Sequence, residues 1–337
     1  KTYDLSDNLG TTGEGTLLED SEGYRLLQEV AKYGYMNCSN YDYHINTLDE
    51  IVPLMEKIST KERMIDLDDY EIFSCGDTNV TVINFENYSM FGFIEFNNKN
   101  EFNTVLKSMI NSKKKKLIGP IDGKTWYSYR LCLDNFDWKL YPDCLSNKEI
   151  IDSLYENGFK LYHTYSSTLS HINEKIWKLA KRTKLLPDYS TMIVRGNKVL
   201  DYLKDIYEIG TNVFINADYY RPISFEDFKD IYIKGLNLIN PVLVLIMKNN
   251  NLVAFNYAYE DPEKRFYICK TIGIKEEERN KIVLLKLLDA SYDFMVSQGY
   301  DLVLHHFQND RTKTMESLSV GYGVKKKQYG LFKYENQ

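Results

Sequence analysis

Residues 266–307 read FYICKTIGIKEEERNKIVLLKLLDASYDFMVSQGYDLVLHHF, and the fold class follows from this stretch. Phe266–Ile274 is rich in β-branched and aromatic residues, which predicts a strand. Lys281–Gln298 is a long amphipathic segment that stops before Gly299, which predicts a helix. Asp301–Phe307 is almost wholly apolar, as in a central strand that is covered on both faces. The order strand, helix, strand is typical of an α/β sheet.

The segments on either side extend this order. Val242–Lys248 and Leu252–Tyr259 flank Asn249-Asn250-Asn251, and this asparagine turn predicts a hairpin. The other predicted elements of this half are two helices and a closing strand: Phe225–Leu238, Thr312–Ser319 and Gln328–Tyr334.

A similar order recurs earlier in the chain, without clear sequence identity between the halves. The predicted strands there are Tyr70–Ser74, Asn79–Asn84, Tyr88–Phe96, Lys115–Ile118, Trp126–Leu133 and Phe159–Ser166. The predicted helices are Leu26–Tyr35, Leu48–Ile58, Glu101–Asn111 and Asn147–Asn157. A length of 337 residues also indicates about two domains. We therefore predict a polar, Gly-rich extension at 1–45, a first domain at 46–173, a helical linker at 174–210 (helices Glu174–Thr183 and Asn197–Ile209) and a second domain at 211–337.

Composition excludes several classes of protein. The net charge of -6 argues against a nucleic-acid partner, and we interpret the basic runs Lys113–Lys116 and Lys325–Lys327 as solvated surface. The five cysteines include no C-x-x-C pair, which disfavours a disulfide framework or a structural metal site. No apolar run reaches the roughly 18 residues of a membrane span, and no secretion signal opens the sequence. We expect a cytoplasmic protein without a membrane partner.

Several short motifs together resemble a known family. They are Phe91-Gly92-Phe93-Ile94-Glu95, Ile118-Gly119-Pro120-Ile121, Glu156-Asn157-Gly158-Phe159, Tyr220–Phe228, Asn240–Val244, Asn251–Phe255 and Lys327–Tyr334. In this order they are similar to bacterial tandem GNAT proteins, which fuse two domains of the GCN5-related N-acetyltransferase fold. The second motif is similar to the family's GPM/GPI turn in the first domain. The resemblance covers residues 70–334 and implies two fused GNAT-like domains, each a twisted mixed sheet flanked by helices in the α/β (α+β) class.

The resemblance also implies where an acyl-CoA binds. In GNAT folds the pantetheine arm pairs with a strand that separates from its parallel neighbour, and the turn into the next helix binds the pyrophosphate. Here Ile282 and Leu284 replace the glycines of that turn, and the alternative interpretation is that Arg279 and Lys281 are solvated charges. The implied cofactor-binding residues are Ile272, Gly273, Ile274, Arg279, Asn280, Lys281, Ile282, Val283, Leu284 and Asn309.

Four residues are candidates for acid–base catalysis. The predicted helix Thr312–Ser319 lacks the tyrosine that the family uses as an acid, so Tyr322, just beyond it, is a candidate, with a packed aromatic as the alternative. His305 and His306 lie near the end of a strand on opposite faces, so one of them can reach the cleft, with a core or surface histidine as the alternative for each. Glu95 is the candidate of the first domain, with a surface carboxylate as the alternative.

The resemblance implies an N-acyltransferase that moves an acyl group from acetyl-CoA or another acyl-CoA to a small amine or amino-acid-like acceptor, without a metal. A carrier protein is an alternative source of the thioester. The replaced glycines favour a second reading, a catalytically inactive protein that uses the fold to bind a ligand or partner.

Overall fold

The computed structural model describes residues 69–113, 115–140, 143–184, 187–235, 239–261, 263, 265–279, 281–311, 319 and 321–335. The chain divides into two compact units, residues 1–70 and 71–337, and the elements below belong to the second unit except for one strand residue. The helices predicted at Leu26–Tyr35 and Leu48–Ile58 lie outside the described residues, and so does Thr312–Ser319 apart from its last residue.

The described residues form twelve strands and six α-helices. The strands are β1 (Tyr70–Cys75), β2 (Thr78–Asn84), β3 (Tyr88–Glu95), β4 (Lys116–Gly119), β5 (Leu131–Cys132), β6 (Lys160–His171), β7 (Tyr189–Arg195), β8 (Pro241–Lys248), β9 (Asn251–Glu260), β10 (Tyr267–Ile274), β11 (Leu302–Asn309) and β12 (Gly323–Tyr334). The helices are α1 (Lys99–Ser112), α2 (Lys148–Glu156), α3 (Glu174–Arg182), α4 (Leu203–Phe214), α5 (Phe225–Gly235) and α6 (Lys281–Ser297), with short 3₁₀ helices at Gly196–Tyr202 and Glu276–Glu278.

Local signals explain many of these boundaries. Asn98, Asn147 and Asn173 precede α1, α2 and α3, and each side chain accepts a hydrogen bond from a main-chain N–H in the first turn. Such caps satisfy donors that the helix itself leaves unpaired. The turn between β8 and β9 consists of Asn249 and Asn250, whose φ angles of 48° and 65° suit a two-residue hairpin. The predicted hairpin is therefore confirmed.

The strands form one mixed sheet in the order β1-β2-β3-β4-β12-β6-β11-β10-β9-β8-β7, with β5 paired to β12 beside this path. The predicted α/β class with a mixed sheet is confirmed. Strand β12, the last in sequence, lies between β4 and β6, and β6 lies between β12 and β11. Strand β12 of the second half thus lies beside β4 of the first half, and β6 of the first half lies beside β11 of the second half. The two predicted sheets therefore join into one.

Apolar side chains cover both faces of the second half. One face packs against α4 and α5, and the other packs against α6. In the first half, α1 and α2 pack over the sheet in a third cluster. Burial on both faces accounts for the nearly continuous apolar sequence of β8 and β9. In the described part of the chain, no helix combines the length and the apolar composition of a membrane span.

Two predicted elements differ in the structure. Only Leu131–Cys132 of the predicted strand Trp126–Leu133 pairs with β12, because the aromatic side chain of Trp126 instead packs edge-on against rings of α4 and α5. The predicted helical linker contains β7, which pairs antiparallel with β8 along its whole length. Its sequence, Tyr-Ser-Thr-Met-Ile-Val-Arg, has the β-branched character of a strand.

The interpretation of Lys325–Lys327 as solvated surface is wrong for Lys327. This side chain is fully buried, and its Nζ donates to Trp138 O at 2.7 Å and to Asp143 Oδ2 at 2.6 Å. Burial of an ammonium group is tolerated because a carboxylate and a carbonyl replace its water.

Candidate functional site

Two pairs of adjacent strands run parallel, and each pair separates after a short stretch of pairing. The pairing of β3 with β4 ends at Met90 and Ile118. The pairing of β10 with β11 ends at Cys269 and His305. Beyond these residues the main chain borders a gap, where its N–H and C=O groups need partners other than a neighbouring strand.

The gap between β3 and β4 is filled by the protein's own chain. Ile121 N donates to Phe91 O at 2.8 Å, and Phe93 N donates to Asp122 Oδ1 at 2.6 Å. A methyl group on Gly92 would lie 2.2 Å from Ile121 O, so only glycine permits this approach. The segment after β4 therefore occupies this edge of β3.

The second gap is flanked by irregularities in both of its strands. On β10, the register with β9 shifts between Cys269 and Thr271, which leaves Lys270 as the extra residue. On β11, the register with β6 shifts around Phe307, whose φ is +53°. A bulge bends its strand and increases the local twist. Two bulges at the same level turn β10 and β11 away from each other.

Beyond the bulge, β10 borders the gap with Thr271–Ile274. Within the described ranges, β9 is the only main-chain partner of this stretch, and Arg279 Nε donates to Ile274 O. No described segment fills this gap as Ile121 fills the first one. A methyl group on Gly273 would lie 2.4 Å from Phe255 Cε1, so this glycine makes room for a core ring. The flanking Ile272 and Ile274 pack against the core under α6.

The turn from β10 into α6 is the predicted pyrophosphate site. Arg279 is exposed there, and its Nε donates to Ile274 O at 3.4 Å. The adjoining Glu278 is buried and pairs with Lys248, 2.7 Å from Nζ to Oε1. Asn280 lies outside the described residues, and for Lys281 only the backbone is described. The cationic Arg279 is thus available at the start of a helix.

Three residues on the first turn of α6 have different surroundings. Ile282 is exposed on the first turn of α6, Val283 is buried beneath the helix, and Leu284 is half-buried against the same core. The apolar side chain of Ile282 therefore lies beside any phosphate that approaches the helix start.

His306 belongs to a buried hydrogen-bonded chain beside the gap. Its Nδ1 lies 2.8 Å from Ser167 Oγ, which also contacts Tyr329 OH at 3.1 Å and accepts from Phe307 N at 3.2 Å. The imidazole also stacks on the Phe307 ring, with centroids 3.7 Å apart. These contacts fix the orientation of the ring.

His305 lies at the last paired position of β11 and is almost fully buried. Neither ring nitrogen has a hydrogen-bond partner among the described residues. Burial lowers the pKa of His305 to about 4, so its imidazole is neutral at pH 7. A neutral, unpartnered imidazole at the edge of the gap can donate to or accept from a bound group.

We expect His305 to make the protein sensitive to mild acid. Its folded pKa of about 4 lies below the ordinary 6.5, so the unfolded chain binds the proton first and stability falls as the pH falls through this window. The expected loss between pH 7.5 and pH 5 is about 2 kcal/mol. Urea unfolding of His305→Gln should show a smaller loss over that range, whereas the exposed control His171→Gln should behave like the unmodified protein. Equal losses in all three proteins would contradict the assignment.

The structure places the other candidates apart from the gap or at its margin. Tyr322 O accepts from His171 N, which puts Tyr322 beside the beginning of β11 and not beside its end. Glu95 is exposed at the end of β3, where it accepts from Asn79 Nδ2 at 2.8 Å. Asn309 ends β11 and lines a cavity of about 150 Å³. The gap between β10 and β11 thus brings together the two histidines and the strand residues of β10.

Two basic residues near the gap were missed by sequence reasoning. Lys270 is the bulge residue of β10, and Arg130 comes from the segment before β5. Burial, with a smaller contribution from the charge of Arg130, lowers the pKa of Lys270 to about 8. The signal in the sequence was the lysine within the otherwise apolar run Phe266–Ile274.

No protein-family model and no curated protein matches this sequence. Among solved structures, the chain is similar to a tandem GNAT protein from the clavulanic acid biosynthesis pathway, at 8% identity and a TM-score of 0.46 over 84% of this chain and 87% of that one. It is similar to a GCN5-related N-acetyltransferase from Kribbella flavida at 10% identity and a TM-score of 0.37 over 84% and 95% of the two chains. For FemX the identity is 9% and the TM-score 0.39, over 83% and 91%. The structural neighbours thus include GNAT-fold proteins, and these similarities assign neither a donor nor an acceptor to this chain.

Proposed function

We propose that this chain is an N-acyltransferase that binds an acyl thioester in the gap between β10 and β11. The observation that carries the proposal is the contrast between the two gaps. Ile121 and Asp122 fill the first, whereas the described residues leave the Thr271–Ile274 edge of the second available to a ligand. The proposed donor is acetyl-CoA or another acyl-CoA, with a carrier-bound thioester as the alternative. The proposed acceptor is a small amine.

Strand addition explains how the donor would bind. An extended arm that contains amide groups, such as the pantetheine arm of CoA, can hydrogen-bond to a free strand edge. In the first half, Ile121 of the chain itself hydrogen-bonds to Phe91 on such an edge. In the second half Thr271–Ile274 is the equivalent edge, and it leads directly to the helix start. The N–H groups of that helix start and the guanidinium of Arg279 would attract the pyrophosphate.

The reaction requires one proton to leave the amine and one to reach the sulfur. The amine nitrogen attacks the thioester carbonyl, so a C–N bond forms, the C–S bond breaks and the thiolate leaves. We assign the role of proton acceptor to His306, because the contact with Ser167 Oγ already orients its ring. His305 is the second candidate for this role, and Tyr322 and Glu95 are outside the proposed site. The thiolate takes a proton from solvent, and His306 returns the proton of the amine to solvent.

A ligand-binding protein without catalytic activity is the second candidate. The observation that favours it is the exposed Ile282 on the first turn of α6, where the family has glycine. Bulky side chains at this position crowd an approaching phosphate. The two candidates differ in one measurable respect, because only the acyltransferase releases free thiol when acyl-CoA and an amine are both present.

Calorimetric titration with acetyl-CoA and with longer acyl-CoAs tests the proposal. We expect Arg279→Ala to weaken binding about fivefold, since one exposed charge near a phosphate contributes about 1 kcal/mol. The matched control is Arg182→Ala, because Arg182 is also exposed and lies on α3. Absence of heat and of a thermal shift with every acyl-CoA would contradict the proposed function. Unchanged affinity in Arg279→Ala alone would remove that residue from the site.

A further inference from the structure

Arg130 is a buried cation without an acidic partner among the described residues. Only 5% of its surface is exposed, and within the described ranges its Nη1 has no hydrogen-bond partner. Its Nε donates to Tyr129 O at 3.2 Å. The guanidinium carbon lies 3.7 Å, 4.4 Å and 4.1 Å from the ring centroids of Tyr129, Tyr165 and Phe307. These rings supply attraction to a cation, but no negative charge.

Lys270 is a second cation in the same part of the sheet. It follows Cys269, the last residue of β10 that pairs with β11. Phe307 lies two residues past His305, the last residue of β11 that pairs with β10. In the part of the chain that the structure describes, Lys270 has no carboxylate within ion-pair distance. The charge of Arg130 acts on it unfavourably, as expected for two cations that share a poorly solvated region.

Two carboxylates of the surrounding segments are engaged elsewhere. Asp143 pairs with the buried Lys327 at 2.6 Å. Asp218 lies 3.3 Å from Arg311 and 3.4 Å from His163. A buried charge is normally paired, since its transfer out of water is costly. The unpaired Nη1 of Arg130 is therefore the feature that a ligand would satisfy.

We propose that Arg130 and Lys270 bind an oxyanion, a carboxylate or a phosphate, that is carried by the amine acceptor. A guanidinium group matches the geometry of both oxyanions, and an ammonium group adds a second charge. That the amine acceptor carries this oxyanion rests on the proposed function, whereas the anion site itself does not. The site lies beside the point where β10 and β11 separate, so an amine attached to the bound oxyanion is held near the thioester.

The experiment measures binding without any acyl-CoA. The probes are the protein amino acids, each compared with its carboxamide, and O-phosphoethanolamine compared with ethanolamine. We expect at least one anionic amine to bind, and its uncharged counterpart to bind at least about tenfold more weakly. Binding by a carboxylate identifies an amino-acid-like acceptor, and binding by phosphoethanolamine alone identifies a phosphorylated one. If no anionic amine binds better than its uncharged counterpart, the proposal is overturned.

Variants connect the binding to these two residues. Lys270→Met should weaken binding of the preferred probe at least about tenfold. Arg130→Lys should also weaken this binding, although it retains the positive charge. The control Lys160→Met removes an exposed lysine at the beginning of β6 and should leave the affinity unchanged. Because Arg130 is buried, the Lys270 variant provides a test that does not depend on the folding of an Arg130 variant. Equal affinity in Lys270→Met and the control would overturn the proposal.

A parallel titration with acetyl-CoA separates the two proposals. If the unmodified protein binds no anionic amine but binds acyl-CoA, the anion site alone is overturned. Anion binding that depends on Lys270, in a protein that binds no acyl-CoA, supports the anion site and overturns the proposed acyltransferase.

Discussion

Replacement of Lys270 by methionine should stabilise the ligand-free protein by about 2 kcal/mol at pH 7. The pKa of Lys270 falls from 10.5 to about 8 in the folded chain, which corresponds to about 3 kcal/mol of destabilisation of the charged form. The side chain keeps part of its contact with water, and this reduces the expected gain. Methionine keeps the length of the side chain and removes the charge.

The sign of the effect can be checked through its pH dependence. Between pH 8 and pH 10.5 the unfolded chain holds the proton that the folded chain has lost, so stability rises with pH in this window. The destabilisation is complete below pH 8 and disappears as the pH rises through 10.5. The difference between Lys270→Met and the unmodified protein in urea unfolding should therefore shrink between pH 7 and pH 10. The exposed control Lys326→Met should change stability by less than about 0.5 kcal/mol at either pH. A Lys270→Met protein that is less stable at pH 7 would show that the lysine is compensated in the ligand-free state.

Replacement of Gly92 by alanine should destabilise the protein by at least about 3 kcal/mol. The added methyl group would lie 2.2 Å from Ile121 O and 2.5 Å from Ile121 C. These are main-chain atoms, so no rotamer change relieves the overlap. The segment must move away from β3, and the hydrogen bond from Ile121 N to Phe91 O is then lost.

Gly323→Ala provides the matched control, since its methyl group would meet nothing closer than 3.8 Å. We expect this control to change stability by less than about 0.5 kcal/mol in the same urea titration. Similar stability of the two variants would mean that the first gap is not closed as described. The Gly92 variant also separates the two gaps functionally, because any folded fraction should still bind acyl-CoA through β10.

Local sequence signals accounted for most of the individual elements. The asparagine turn at Asn249–Asn250 and the glycine after α6 act over a few residues. The caps at Asn98 and Asn147, which the structure shows, act over the same short range. The failure at Trp126–Leu133 has a physical reason. Its aromatic residues resemble strand residues in composition, but the Trp126 ring packs on distant helices. Composition alone does not separate these two uses of an aromatic side chain.

The candidate site depends on contacts that lie far apart in sequence. The exchange of β6 and β12 between the halves follows from long-range register, which no local pattern specifies. Arg130 approaches Phe307 and Lys270 only through that arrangement. The sequence predicted His305 and His306 near the end of a strand, and the structure has them in β11, while their role in a site stays a prediction. It gave no indication that the first gap is closed, because Ile121 and Asp122 have no distinctive pattern.

Hydrogen exchange followed by mass spectrometry tests the proposed acyl-thioester site most directly. Peptides that cover Lys270–Ile274 and Phe91–Glu95 are compared with and without saturating acetyl-CoA or octanoyl-CoA. The expected result is slower exchange in Lys270–Ile274, because the bound arm hydrogen-bonds to that edge, and no change in Phe91–Glu95, because that edge is already occupied. Protection of Phe91–Glu95, or of neither peptide with either ligand, would contradict the assignment of the gap between β10 and β11 as the acyl-thioester site.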